Sequence, residues 1–261
     1  MSSLPLEGKR AVVTGASKGI GRSIAFAFAR EGATLALVAR GHDELEALAR
    51  EIREAGGHAE AIPADVTNAE QVRRMADATH AALGGVDILV NCAGAAESHD
   101  FPRHPDELWH RMLAVNLTSV YYVCRAFVPG MITLPSARII NVASIAAKTG
   151  GRYIAAYTAS KHGVLGLTRA LASELVRYNI TVNAICPGYV DTPMTEASIA
   201  NIAARTGSTQ EQARAALELT SPQKRLIAPD EVAAVALFLA RDASYGITGQ
   251  AINVDGGAVM Y

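Results

Sequence analysis

An apolar run, Lys9 to Thr14 (KRAVVT), passes directly into Gly15-Ala-Ser-Lys-Gly-Ile-Gly21 and then into an apolar-rich segment, Arg22 to Arg30. No other stretch constrains the fold as strongly. Strand, glycine turn and helix make a βα unit, which places backbone N–H groups and a helix N-terminus where a diphosphate can meet them. The glycines are spaced Gly-x-x-x-Gly-x-Gly, not as the Gly-x-Gly-x-x-Gly of the general dinucleotide fingerprint. A tight turn that binds nothing would use glycine too, so the rest of the chain must decide between a plain turn and a phosphate cradle.

The alternation continues along the chain. Ala33 to Ala39 (ATLALVA) reads as a second strand, and Ala61 to Val66 as the end of a third. Asp87 to Asn91, Arg138 to Ala143, Ile180 to Cys186 and Gly249 to Val254 read as strands four to seven. Helical faces lie between them: Leu45, Leu48 and Ile52; then Val72, Met75, Ala76, Thr79 and Leu83 behind a capping box, Thr67-x-x-Glu70. A long helix is expected from about Asp106 to Phe127. Another begins near Tyr153 and continues through Val164, Leu167 and Leu171, and a last one starts at Pro229-Asp230-Glu231. Two short helices are expected over Thr195 to Thr220, broken at Gly207-Ser208. The 261 residues hold no linker, low-complexity tract or other repeat, which predicts one α/β domain over 1–261.

Half of the residues are apolar and the net charge is −1, which leaves no electrostatic case for nucleic acid or an anionic membrane. The first ten residues lack an apolar signal core, and no apolar run is long enough to span a bilayer, so a cytoplasmic protein is expected. Cys92, Cys124 and Cys186 are widely spaced and odd in number, which reads as reduced thiols and neither a disulfide frame nor a zinc site. His99, His104 and His110 straddle Pro102 and Pro105 at spacings that match no common zinc pattern, so no metal is expected.

Chemistry is expected at Ser144 to Lys161 (SIAAKTGGRYIAAYTASK). Four positions separate Tyr157 from Lys161, so on a helix the two side chains share a face. A phenol titrates near pH 10, and bringing it to neutrality requires about 4 kcal/mol of preference for the phenolate. One ammonium at about 4 Å supplies energy of that order at an effective dielectric of about 20. Tyrosine with lysine one turn later is therefore an acid/base device in principle. Ser144, ahead of a glycine-rich loop, offers a hydroxyl to hold a carbonyl or alcohol oxygen.

Taken together, TGASKGIG (Thr14 to Gly21), Asn91-Cys92-Ala93-Gly94, Asn116, Ser144, Tyr157-x-x-x-Lys161 and Pro187-Gly188 resemble the short-chain dehydrogenase/reductase family in its compact form. The resemblance runs from about Gly8 to Gly257. It implies a Rossmann-type, doubly wound, seven-stranded parallel sheet with helices on both faces, and a small substrate lid over about 190–228. It implies Asn116, Ser144, Tyr157 and Lys161 as the catalytic set, Asn116 relaying protons through water to Lys161. The implied cofactor contacts are Gly15, Ser17, Lys18, Gly19, Ile20 and Gly21 in the turn, Asp65 and Val66 at the adenine, and Asn91, Ala93 and Gly94 beside it. Tyr157, Lys161, Pro187, Gly188, Val190 and Thr192 complete them, Thr192 bonding the carboxamide. Cys92 departs from the family's usual second asparagine, a minor change.

At the end of the second strand, where NAD enzymes usually carry an acid, this chain has Ala39 and then Arg40. With Lys18 in the turn, Arg40 suits the extra phosphate of NADP. Two solvated surface cations, with NAD(H) still used, is the other reading. The expected activity is interconversion of a ketone and a secondary alcohol with NADP(H). YTASKHGVLGLTRAL and NAICPGYVDTPM resemble bacterial 3-oxoacyl-thioester and polyketide ketoreductases, while cyclic, sugar and steroid-like ketones stay open. Two rivals are a cofactor-sensing regulatory protein, which typically loses Tyr or Lys, and an extended-branch epimerase or dehydratase, disfavoured by the glycine spacing. The family also implies a homotetramer built on the long helix and the one carrying Tyr157.

Overall fold

The computed structural model describes residues 4–261. Strands β1 (Arg10–Thr14), β2 (Thr34–Ala39), β3 (His58–Pro63), β4 (Ile88–Asn91), β5 (Ala137–Val142), β6 (Ile180–Pro187) and β7 (Ala251–Val254) form one sheet. Their order is β3-β2-β1-β4-β5-β6-β7 and every neighbouring pair is parallel. Helices α1 (Gly19–Arg30), α2 (His42–Glu54) and α9 (Pro229–Ala240) cover one face. Helices α3 (Ala69–Leu83), α5 (Ser119–Met131) and α6 (Ala155–Leu175) cover the other.

Strand parity distributes the side chains. In β1, Ala11 and Val13 join the layer under α1, α2 and α9, whereas Val12 joins the layer under α3, α5 and α6. In β5, Ile140 and Val142 take the first layer, Ala137 and Ile139 the second. A sheet buried on both faces needs such continuous apolar runs. Phe28 of α1 and Phe127 of α5 are fully buried on opposite sides, and truncating either to alanine would cost about 3–5 kcal/mol.

Several boundaries differ from those expected. Helix α1 starts inside the glycine motif at Gly19, three residues before Arg22, so its first turn is made of the motif itself. Strand β3 ends at Pro63, short of Val66. The expected Thr67–Glu70 box is absent: Asn68 caps α3, accepting from the N–H groups of Glu70 and Gln71, because Thr67 is already bonded to Asp65. The helix expected over 106–127 is α4 (Asp106–Leu113) and α5, joined by a π-helical turn at Ala114–Thr118 and continuing to Met131. Helix α6 begins at Ala155, since Tyr153 adopts a left-handed backbone (φ 67°) that a helix cannot include.

The segment expected as a lid forms α7 (Pro193–Thr206) and α8 (Gln210–Glu218). Gly207 closes α7 at φ 71°, and Thr209 with Gln212 makes the capping box that opens α8. The two ends of the segment are pinned together, as Ile227 donates its N–H to the Tyr189 carbonyl (2.9 Å) and Asp191 donates to the Ile227 carbonyl (2.9 Å).

Register fixes where a site can form. Thr14 lies opposite Asn91, and Asn91 opposite Asn141. The residues that follow these strands, Gly15, Cys92 and Ser144, therefore emerge at one carboxyl edge of the sheet, with Gly188 after β6. Strand order reverses between β1 and β4, the switch point where ligands bind open α/β sheets.

Candidate active site

At the switch point the β1–α1 turn packs onto the end of β4 through backbone alone. Gly15 has φ 67°, and a Cβ there would stand 2.8 Å from the Ala93 Cα. A Cβ on Gly21 would stand 2.2 Å from the Gly15 carbonyl oxygen. The Thr14 hydroxyl accepts from the N–H groups of Cys92 (3.0 Å) and Ala93 (3.2 Å), riveting the two strand ends. Lys18 is the N-cap of α1 and its side chain makes no capping bond, so the first-turn N–H groups around Gly19, Ile20 and Gly21 face the cleft without a side-chain partner from the cap. Ser17 and Lys18 sit in the same turn. A Cβ on Gly19 would lie 3.1 Å from the Thr192 methyl, so the loop after β6 closes against the cradle.

Lys18 and Arg40 are exposed, and neither has an ion-pair partner among the described residues. Asp65 accepts from the Thr67 N–H (2.9 Å) and hydroxyl (2.7 Å). Burial pushes its carboxyl up, but those bonds and the nearby Arg40 charge outweigh burial and hold it below the usual carboxylate range. Val66 and Val190 point into the core and Pro187 is buried at the end of β6, leaving backbone to face the cleft there.

Asn91 turns its side chain away from the sheet's carboxyl edge. It shares the parity of Leu89, so its side chain turns into the layer under α5 and α6. There it donates to Asn141 Oδ1 (2.9 Å) and Cys124 Sγ (3.4 Å), and Asn141 donates to the Thr168 hydroxyl (2.9 Å). Its contact with a ligand could only be through the main chain.

Ser144, Tyr157 and Lys161 converge at the mouth of β5. Ser144 follows the strand, and its hydroxyl accepts from the Ala146 N–H (3.1 Å). Tyr157 and Lys161 lie one turn apart on α6, with Lys161 Nζ 5.8 Å from the centre of the phenol ring. Lys161 is buried and donates to the Val142 carbonyl (3.0 Å). Burial lowers its pKa from 10.5 to about 8, against the small opposing pull of the Cys92 and Cys186 sulfurs. Tyr157 is raised: burial disfavours the phenolate more than the Ser144 hydroxyl favours it, and Tyr189 and Cys186 add to the rise. Burial is the largest cause of both shifts, since the same burial that brings the lysine close penalises both charges.

Asn116 sits in the π-helical turn, fully buried, where the extra residue per turn breaks the local ladder. Its Oδ1 accepts from the Ala95 N–H (3.0 Å) and its amide donates to the Ala95 carbonyl (3.0 Å). A Cβ on Gly94 would meet Asn116 Oδ1 at 3.0 Å and Lys161 Nζ at 3.6 Å, so these two groups and Gly94 occupy one corner.

Two residues absent from the expected set belong to this site. Thr14 is the rivet described above, legible in retrospect as a hydroxyl at the last position before the glycine turn. Tyr189 lines a narrow cleft together with Ile145, Gly188, Leu217 and Ile227. Its one lining cation, Arg225, is paired in two directions with Glu231.

A family model described as enoyl-(acyl carrier protein) reductase matches residues 15–259. The chain belongs to the short-chain dehydrogenase/reductase family. It is 38% identical over 252 residues to a D-beta-hydroxybutyrate dehydrogenase of Rhizobium meliloti, covering 95% of this chain and 98% of that one. It is 37% identical over 255 residues to a 3-oxoacyl-acyl-carrier-protein reductase of Thermotoga maritima, covering 98% and 99%. Among solved structures, a single-residue variant of actinorhodin polyketide ketoreductase with NADPH superposes with a TM-score of 0.94 at 37% identity, covering 97% of this chain and 98% of that one. In this short-chain dehydrogenase/reductase the glycine turn after β1 and the Ser-Tyr-Lys corner after β5 lie on one sheet edge, with the end of β4 between them.

Proposed function

We propose that this protein interconverts a ketone and a secondary alcohol with NADP(H), and that its substrate is a 3-oxoacyl or 3-hydroxyacyl thioester. The observation that carries the reading is the meeting of Ser144, Tyr157 and Lys161 at the carboxyl edge, beside a glycine turn with no room for side chains. When bound, the nicotinamide supplies or takes up the hydride. The protein does the rest. Ser144 holds and polarises the substrate oxygen, and Tyr157, kept protonated by burial, donates the proton to that oxygen in reduction. Lys161, protonated below about pH 8, stabilises the phenolate left behind and is resupplied with protons through Asn116 and water.

The unpaired Lys18 and Arg40 support NADP(H) over NAD(H), since a 2′-phosphate would find two free cations and no competing carboxylate at Ala39. The NADPH in the actinorhodin ketoreductase supports the same choice. The names of the acyl-carrier-protein reductase and hydroxybutyrate dehydrogenase relatives support a 3-oxo or 3-hydroxy acyl group. The name of a 3beta-hydroxysteroid dehydrogenase relative of Mediterraneibacter gnavus, 37% identical over 261 residues, supports a cyclic or steroid-like ketone as the second reading. We further read 1–261 as one catalytic domain with α7 and α8 as its lid, working in the cytoplasm as a homotetramer; exposed Tyr121, Ile132 and Val176 on and beside α5 and α6 support that interface.

The test follows nicotinamide absorbance with acetoacetyl-CoA and, in parallel, NADPH and NADH. Fast NADPH-dependent turnover supports the whole reading; turnover mainly with NADH removes the cofactor preference; a response only to cyclic ketones favours the second substrate class. Tyr157→Phe is expected to lower turnover by about 10²–10⁴-fold while NADPH still binds, and near-native turnover in that variant would remove the assignment.

A further inference from the structure

Helices α7 and α8 share a core of their own. Ile199, Ala213, Leu217 and Leu226 form a cluster separate from both layers of the main fold, with Ile202 and Ala203 packed against it. Arg214 ties the unit internally, donating to Glu196 (2.6 Å) and Glu218 (3.2 Å), and to Asp191 (3.0 Å) at its root. The roots are pinned by the pairing of Ile227 with Tyr189 and Asp191. Packed and ion-paired internally, the unit is built as one body on its roots.

Across the cleft, the loop after β4 is anchored on both sides. Asn116 holds the N–H and carbonyl of Ala95, and the His99 N–H donates to the Tyr153 carbonyl (2.7 Å), just ahead of the helix that carries Tyr157. Between those anchors stands Ser98. Its hydroxyl accepts from Asn201 Nδ2 of α7 at 2.9 Å, the one hydrogen bond among the described residues that joins the α7–α8 body to the facing wall. Asparagine is a poor choice for the interior of a helix on local grounds, so the reason for it at position 201 is tertiary.

We propose that Ser98 and Asn201 are positioning residues that latch the lid across the cleft to the loop anchored on Asn116 and Tyr153. The proposal rests on reading the cleft as the ketone site. The latch holds α7 against a wall fixed to the helix of Tyr157, so that substrate is retained while the lid is fastened. Its contribution is that of one neutral, half-buried hydrogen bond, about a fivefold effect. Neither side chain touches the reacting atoms.

The experiment uses the full chain with NADPH and acetoacetyl-CoA, comparing Ser98→Ala, Asn201→Ala, the double variant and Ser98→Thr. Each single alanine variant is expected to raise KM about fivefold with kcat changed by less than about twofold. The double variant is expected to be no worse than either single, because one bond can be lost only once, and Ser98→Thr to restore wild-type KM. Amide hydrogen exchange over 193–206 is expected to quicken about fivefold in the alanine variants and to stay unchanged in β1 and α6. Multiplying effects in the double variant, or unchanged KM and exchange, would overturn the latch. If the wild-type chain turns over no acetoacetyl-CoA yet exchange over 193–206 quickens without adding in the double, the thioester reading falls and the latch stands.

Discussion

The glycine turn after β1 and the α7–α8 segment are held by different forces. The cradle is backbone against backbone: Gly15 against Ala93, Gly21 against the Gly15 carbonyl, and Thr14 bonded to the two N–H groups that follow β4. Its support is the pair of large apolar layers on the sheet. The lid rests on a small cluster of its own, on the partly exposed charges around Arg214, and on one hydrogen bond to the opposite wall. The difference shows where rigidity is placed. Backbone N–H groups cannot be re-aimed by rotating a side chain, so a wall built of them must be preorganised. A wall that only encloses a substrate can be held by weaker, separable contacts.

Two glycines test that contrast most sharply. Gly21→Ala forces a Cβ onto a backbone oxygen that has nowhere to go, and NADPH affinity measured by fluorescence titration is expected to fall at least about 100-fold. An unchanged affinity would mean that the cradle is not rigid. Next in size is the response to pH. Reduction measured as kcat/KM should hold steady to about pH 8 and then fall by about tenfold per unit as Lys161 loses its proton. The effect on stability has the opposite sign. The Lys161 pKa is depressed in the fold, so between about 8 and 10.5 the unfolded chain binds more protons, and this group's contribution to stability rises with pH. Activity and denaturant midpoint that fall together over that window would point to unfolding as the cause and not to the lysine.

Arg40→Ser is expected to weaken NADPH about tenfold and leave NADH unchanged, the loss of one charge-assisted contact to a phosphate. An equal loss for both cofactors would assign Arg40 to structure. The smallest effect belongs to the lid's own glycine. Gly207 has φ 71° with open space where a Cβ would stand, so Gly207→Ala costs only backbone strain, about 1 kcal/mol, read as a slightly lower melting temperature with NADPH affinity intact. If Gly207→Ala impairs NADPH binding as badly as Gly21→Ala, the two walls are not independent.

Order and type of elements were legible along the chain because they depend on contiguous residues: short apolar runs for the seven strands, a glycine turn leading into α1, and four-residue spacing that sets Tyr157 above Lys161. The parity of β4 could also have been read, and it sends Asn91 inward with Leu89. What only the tertiary structure decided lies between distant residues. The π-helical turn that aims Asn116 at Ala95 depends on how α4 and α5 pack, and the Ser98–Asn201 bond joins positions 103 residues apart. The directions of the Tyr157 and Lys161 shifts follow from the same cause. Spacing can place an ammonium near a phenol, but how far either charge is stripped of water depends on everything that packs around them, and here burial is the largest cause of both shifts.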